Sequence, residues 1–218
     1  MRIIDVVQGS EEWDRWRNRP TCSEFGKFIT PAKGDYSSQA TGYAAKIVAK
    51  RLGVYTEPPP SFWCEWGTEH EPNARHWYEH ENSIEVDLAG FVLPDYTDAY
   101  GGSPDGLVGE DGLVEFKCPA PETLISYHAE GGLPVAYRPQ VQGLLLVTGR
   151  KWCDFVAWHP ELSPFVVRVA PDEKYQEKMA EALLRLLEEI KRIEANVKRV
   201  RHKLVSIGTS KSEVTFDD

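Results

Sequence analysis

Two short segments carry residue types that could act together. One is Ser103-Pro104-Asp105-Gly106; the other, about ten residues on, is Glu115-Phe116-Lys117. The second lies in the apolar run Leu113–Cys118, which reads as a strand, with Gly109-Glu110-Asp111-Gly112 as the turn before it. Strand side chains alternate between faces, so Glu115 and Lys117 project to the same side. The hairpin brings the Asp105 carboxylate beside Glu115. Two carboxylates held together repel unless a cation or a proton sits between them. Hard oxygen ligands of this kind suit Mg²⁺ or Mn²⁺. A lysine two residues on can orient a metal-bound water or help deprotonate it. The Phe116 carbonyl, opposite its own side chain, is a further candidate oxygen ligand. Taken singly, Ser-Pro-Asp-Gly is an ordinary turn and Glu-x-Lys an ordinary ion pair on an exposed strand. The apolar setting of Glu115 and Lys117 favours chemistry over surface decoration.

Several elements must hold these groups. Ser10 is a plausible cap for a short helix over Glu11–Arg19, stopped by Pro20. Ser23–Ile29 reads as a second short helix, and Ser38–Leu52 as a third that Gly53 can close. Glu65–His80 reads as a helix with Pro72 awkward inside it, which suggests a kink. The period then changes, and Ile84–Leu93, Ala99–Ser103 and Leu113–Cys118 read as strands. A helical piece near Glu122–Ala129 precedes an apolar helix over Tyr137–Thr148. Strands at Trp152–Trp158 and Phe165–Val169 follow, then a long helix from Pro171 to about Arg201. The order predicts an α/β fold: one domain over residues 1–203, with residues 204–218 as a loose tail.

The 218 residues are 41% hydrophobic and 27% charged, an ordinary globular composition. The longest apolar stretch, about Gly143–Thr148, is far short of the roughly 18–20 residues that cross a bilayer. The first residues lack the apolar core of a signal peptide, so a cytoplasmic protein is expected. Four widely spaced cysteines with no Cys-x-x-Cys pair fit reduced thiols better than a disulfide frame or a zinc site. The formal charge of −9, taken alone, argues against a partner rich in phosphate. Its distribution is uneven. Residues 61–130 hold 15 acidic and only two basic side chains, whereas each flanking segment is net +2. That block is either a solvated acidic face or a set of carboxylates gathered to hold cations.

Pro-Asp followed by Glu-x-Lys is the signature of the PD-(D/E)xK nuclease superfamily. Further blocks accompany it: Trp13-x-x-x-Arg17 and Thr21-Cys22-Ser23-Glu24-Phe25 before it, then Trp66-Gly67-Thr68-Glu69-His70-Glu71-Pro72, and Tyr137-Arg138-Pro139-Gln140-Val141-Gln142 after it. Their order resembles the phage lambda exonuclease family of alkaline exonucleases, also called YqaJ-type viral recombinases, from about Trp13 to Thr148. The resemblance implies a restriction-endonuclease-like core, with a mixed, mainly antiparallel sheet flanked by helices. It implies Glu71, Asp105 and Glu115 as metal-binding acids with the Phe116 carbonyl, and two Mg²⁺ per site, Mn²⁺ being a possible substitute. Lys117 matches the lysine at the attacking water, and Gln142 a residue that helps position it. Arg17, Ser23 and Ser103 match a pocket for the 5′-phosphate. The family's apolar strand wedge aligns with Cys64, a small side chain, so Phe62 and Trp63 beside it are the other candidates. Glu69 competes with Glu71; Arg17 could instead pair with Asp14 or Glu11; Gln140 and Gln142 could be structural. The implied activity is 5′-to-3′ digestion of double-stranded DNA ends to 5′-mononucleotides, leaving 3′ single strands for recombination. The implied partners are two further copies in a homotrimeric ring and a single-strand annealing protein. An end-independent endonuclease of the same superfamily and a non-catalytic DNA-binding module are the alternatives.

Overall fold

The computed structural model describes residues 1–209, with side chains described to Arg199. Its centre is a four-stranded sheet in the order β3 (Gly106–Val108), β4 (Gly112–Lys117), β5 (Trp152–His159), β6 (Leu162–Val169). The β3/β4 and β5/β6 pairs are antiparallel and the β4/β5 pair is parallel. A parallel neighbour needs a crossover rather than a hairpin. That crossover consists of α4 (Pro121–Glu130), a short 3-10 turn at Val135–Tyr137, and α5 (Arg138–Thr148). A two-stranded ribbon, β1 (Arg2–Ile4) with β2 (Phe91–Leu93), stands apart from the main sheet.

The helices cover both faces. Alternation along β4 sends Val114 and Phe116 toward α3 (Phe62–Asn82), where they pack with Ala74 and Tyr78. Leu113 faces the other way, into the main core with Leu124 of α4 and Val141 and Leu144 of α5. That core continues outward to α2 (Ala40–Arg51) and α6 (Glu173–Thr209), through Ile47, Val48, Met179 and Leu186. Glu115 and Lys117 share the Leu113 face of β4, so they point toward the N-terminal turn of α5.

The sequence reading holds for most helices and for the sheet strands, with informative differences. Ser10 caps α1 (Glu11–Trp16), accepting from the Trp13 N–H. The Ser23–Ile29 helix is a 3-10 turn over Cys22–Lys27. The expected strand at Ile84–Leu93 is ordered only over Phe91–Leu93, with one isolated bridge from Asp87 to Leu107. Ala99–Ser103 contributes single bridges at Gly101 and Gly102 rather than a strand. Those two glycines permit a close approach: a Cβ at Gly101 would lie 2.4 Å from the Val92 carbonyl, and one at Gly102 2.7 Å from Cys22 Sγ. The chain entering Ser103 and Asp105 is thereby pressed between β2 and the Thr21–Cys22 segment. α3 starts at Phe62 and runs through Pro72. α6 begins at Glu173 rather than Pro171, and Asp172 caps it, accepting from the Tyr175 N–H. That helix continues to Thr209, past residue 203; residues 210–218 of the expected tail lie outside the described residues. No helix among the described residues is long and apolar enough to cross a membrane.

Candidate active site

Asp105 lies one step beyond the Gly106↔Val114 pair, opposite Glu115 in the hairpin register. Its Oδ2 accepts from the Phe116 N–H at 2.7 Å, which fixes the carboxylate at the strand edge. Glu115 is 1% exposed. Its Oε1 accepts from Lys117 Nζ at 2.5 Å and from Gln140 Nε2, while its Oε2 is buried with no partner. A buried carboxylate oxygen without a donor is costly. Glu71 is half-buried on α3 and lines a 620 Å³ cavity together with Phe116, Lys117, Cys118 and Tyr137. Glu69, its competitor, is exposed. The Tyr137 ring stands 5.6 Å from Lys117 Nζ, a cation–π contact on the ammonium.

The electrostatics show a set of acids short of positive charge. Burial, then repulsion from Asp105, pushes the Glu115 carboxyl up to about 8. The same two causes push Glu71 up to about 7. Burial raises Asp105 as well, against the opposing pull of Lys117. Burial alone would lower the Lys117 ammonium, but Glu115 and Asp105 outweigh it and the net movement is upward. Lys117 is the cation that acts on all three carboxylates, and Arg75 adds a smaller pull on Glu71 alone. Among the described residues no three His, Cys, Asp or Glu side chains stand in metal-holding geometry. The unpartnered Glu115 oxygen and the all-oxygen donor set nevertheless fit a hard divalent cation better than any soft metal.

The two glutamines of α5 lie on opposite sides, and it is not Gln142 that reaches the acids. Gln142 is buried and turned away: its Nε2 donates to the Ala170 carbonyl, and its Oε1 accepts from the Asp172 N–H and from Gln176 Nε2. It ties α5 to the start of α6. Gln140 is the one that reaches Glu115. Two residues apart on a helix is about 200° of rotation, so only one of the pair can face the sheet edge. Gln140 and Tyr137 are three apart, on one face, and that spacing was the available signal.

The other expected residues fall into two groups. Trp13 joins two of the anchoring candidates: its Nε1 donates to Ser103 Oγ at 2.8 Å, and Arg17 lies over its ring at 4.4 Å. Arg17 makes no ion pair with Glu11 or Asp14 among the described residues; Asp14 pairs with Lys50 at 3.5 Å. Ser23 is exposed, with its hydroxyl 3.5 Å from that of Thr21, which bridges to Gly101. At the start of α3, Phe62 and Trp63 are exposed and meet edge to face at 5.0 Å. Cys64 is also exposed; its N–H donates to the capping Ser61 hydroxyl, which in turn donates to the thiol. Trp63 and Cys64 line the cavity that holds Glu71; Phe62 does not.

A mixed sheet flanked by helices, with Asp105, Glu115 and Lys117 at one strand edge, defines an α/β fold of the PD-(D/E)xK nuclease type. The family pattern of the YqaJ-like viral recombinase domain matches residues 12–151, and the chain belongs to that family. An alkaline exonuclease from Laribacter hongkongensis, LHK-Exo, is 30% identical and superposes with a TM-score of 0.80, covering 89% of this chain and 100% of its own. LHK-Exo in complex with dAMP matches equally well. A phage-related exonuclease from Haemophilus somnus 129PT shares the fold, with a TM-score of 0.64 at 14% identity, over 82% of this chain and 96% of its own. No curated protein matches the sequence.

Proposed function

We propose that this protein is a metal-dependent exodeoxyribonuclease. It digests double-stranded DNA from its ends, 5′ to 3′, releases 5′-mononucleotides, and leaves 3′ single strands for recombination by annealing. The observation that carries this reading is the buried, unpartnered Oε2 of Glu115 beside Lys117 and Asp105. Family membership and the LHK-Exo match support the nuclease assignment, and the dAMP complex of that relative fits a mononucleotide product.

Glu71, Asp105, Glu115 and the Phe116 carbonyl would hold Mg²⁺, or Mn²⁺ in its place, two ions per site. When bound, the metal supplies charge for the attacking and leaving oxygens of an in-line displacement. The protein's own groups do the rest. Lys117, kept protonated by Glu115 and Asp105 and steadied by the Tyr137 ring, orients the attacking water by donating to its oxygen. Gln140 holds Glu115 so that Oε2 stays directed away from Lys117. Arg17, Ser23 and Ser103 supply a guanidinium and hydroxyls suited to a terminal phosphate. A ring of three copies, an annealing partner and a cytoplasmic setting belong to the same reading and rest on family membership.

The test is a time course on linear duplex labelled at either its 5′ or its 3′ end, with Mg²⁺, beside a closed circle. Early release of the 5′ label and an intact circle are expected. Chelation should stop the reaction, and Asp105→Ala or Lys117→Ala should abolish it while the circular dichroism spectrum is unchanged. A nicked or linearised circle would instead show an end-independent nuclease, and near-normal digestion by either variant would remove the mechanism.

A further inference from the structure

The cavity that Glu71 and Lys117 line runs on between α3 and the start of α4. Its wall on α3 consists of Trp63, Cys64, Gly67, Thr68 and Glu71, and the facing wall includes Pro119, Ala120, Glu122 and Thr123. Trp63, Gly67 and Glu71 are spaced four apart, so they form one stripe along the helix. From Trp63 to Glu71 this stripe runs about 12 Å at 1.5 Å per residue. The middle position carries no side chain, and a Cβ built there would meet nothing within 4 Å. A notch thus separates an indole from a carboxylate. Glycine is a poor choice for the interior of a 21-residue helix unless the space it leaves is used.

The indole is held ready. Trp63 is 45% exposed, yet it packs edge-on against Trp66 at 6.1 Å. Trp66 is itself stacked on His70 at 3.7 Å and lies 5.7 Å from the His159 ring. Phe62 meets Trp63 edge to face at 5.0 Å. An indole braced by edge contacts and still half exposed has π surface left for stacking on a planar ring. The 620 Å³ volume lies within the roughly 300–1,000 Å³ of sites that enclose a small ligand.

We propose that the Trp63–Gly67–Glu71 stripe is the subsite for the nucleotide being removed, with its base stacked on Trp63, its sugar over Gly67 and its phosphate at the carboxylates. The stacking tolerates any base, because every base offers a π face. This deepens the nuclease reading and rests on it. Trp63 is then a base-binding residue, not a spacer between strands, and Phe62 a buttress.

Binding separates this from catalysis. Titration calorimetry with dAMP and with 2-deoxyribose 5-phosphate, in Mg²⁺, compares the same sugar phosphate with and without a base. The wild-type protein should bind dAMP about tenfold more tightly than the sugar phosphate. Trp63→Leu should erase that preference and leave sugar-phosphate binding unchanged. Gly67→Leu should weaken binding of both, with the melting temperature preserved, because its side chain enters open space. Equal binding of the two ligands by the wild type, or a preference that survives Trp63→Leu, overturns the inference, as does full dAMP affinity in Gly67→Leu. Digestion of linear duplex by the same wild-type preparation scores the nuclease reading separately.

Discussion

Glu115→Gln should make the metal-free protein more stable while abolishing its activity. The carboxyl is 1% exposed and sits with Asp105 and Glu71, and burial followed by Asp105 raises it from 4.5 to about 8. At about 1.4 kcal/mol per tenfold change in proton affinity, that raise sets a ceiling of about 5 kcal/mol on the cost of ionising it in the fold. One proton captured by the cluster relieves all three acids together, so the share that Glu115→Gln recovers is about 2 kcal/mol. The sign follows from the direction of the shift. Below pH 4.5 both folded and unfolded chains carry the proton, and the substitution gains nothing on this account. As pH rises toward 8 the unfolded chain ionises first, and the wild-type fold loses stability that the variant keeps. Urea denaturation in chelator at pH 4.5, 6 and 8 should therefore show the variant's advantage growing from near zero to about 2 kcal/mol. Added Mg²⁺ should raise the wild-type midpoint more than the variant's. An advantage of the same size at pH 4.5 and pH 8, or none at pH 8, would refute the account of the cluster as a charge-starved site.

Two further predictions separate neighbouring roles. Gln142→Ala should destabilise the fold by about 1–2 kcal/mol, because it removes the buried side chain that bonds the Ala170 carbonyl and the Asp172 N–H; chemical denaturation reads this directly. Gln140→Ala should cost less than about 1 kcal/mol in the same assay and act instead on turnover, so a reversed pair of results would undo the assignment of Gln140 to the site. Arg17→Ala should slow digestion of 5′-phosphorylated ends about tenfold and leave 5′-hydroxyl ends little changed. Equal slowing of both would show that Arg17 does not read the phosphate.

Much of the site was legible in the chain because strand geometry is local. Period-two alternation put Glu115 and Lys117 on one face, and a glycine-flanked turn put Asp105 opposite Glu115; both hold. Helix boundaries with a cap or a closing glycine, such as Ser10 before α1 and Gly53 after α2, were legible for the same reason. The segments 84–90 and 99–103 misled because their alternating pattern satisfies a strand, yet their neighbours give them only isolated bridges. Gln140 and Gln142 could not be told apart by residue type. The choice depended on the rotation of α5 against β4, which is set by its packing through Val141 and Leu144.

The sequence by itself determined the chemistry available: acids and a lysine at strand spacing, a central acidic block, and the ordered blocks of the YqaJ-like family. The tertiary structure alone decided how that chemistry is balanced. It buried Glu115 until one oxygen lacked a partner, set Glu71 and not Glu69 in the cavity wall, and turned Gln142 into a tie to α6. It also set an open glycine notch between an indole and a carboxylate. Spacing along a chain fixes which face a side chain takes. Burial and the neighbours brought from elsewhere in the chain fix what that side chain costs, and so what it can hold.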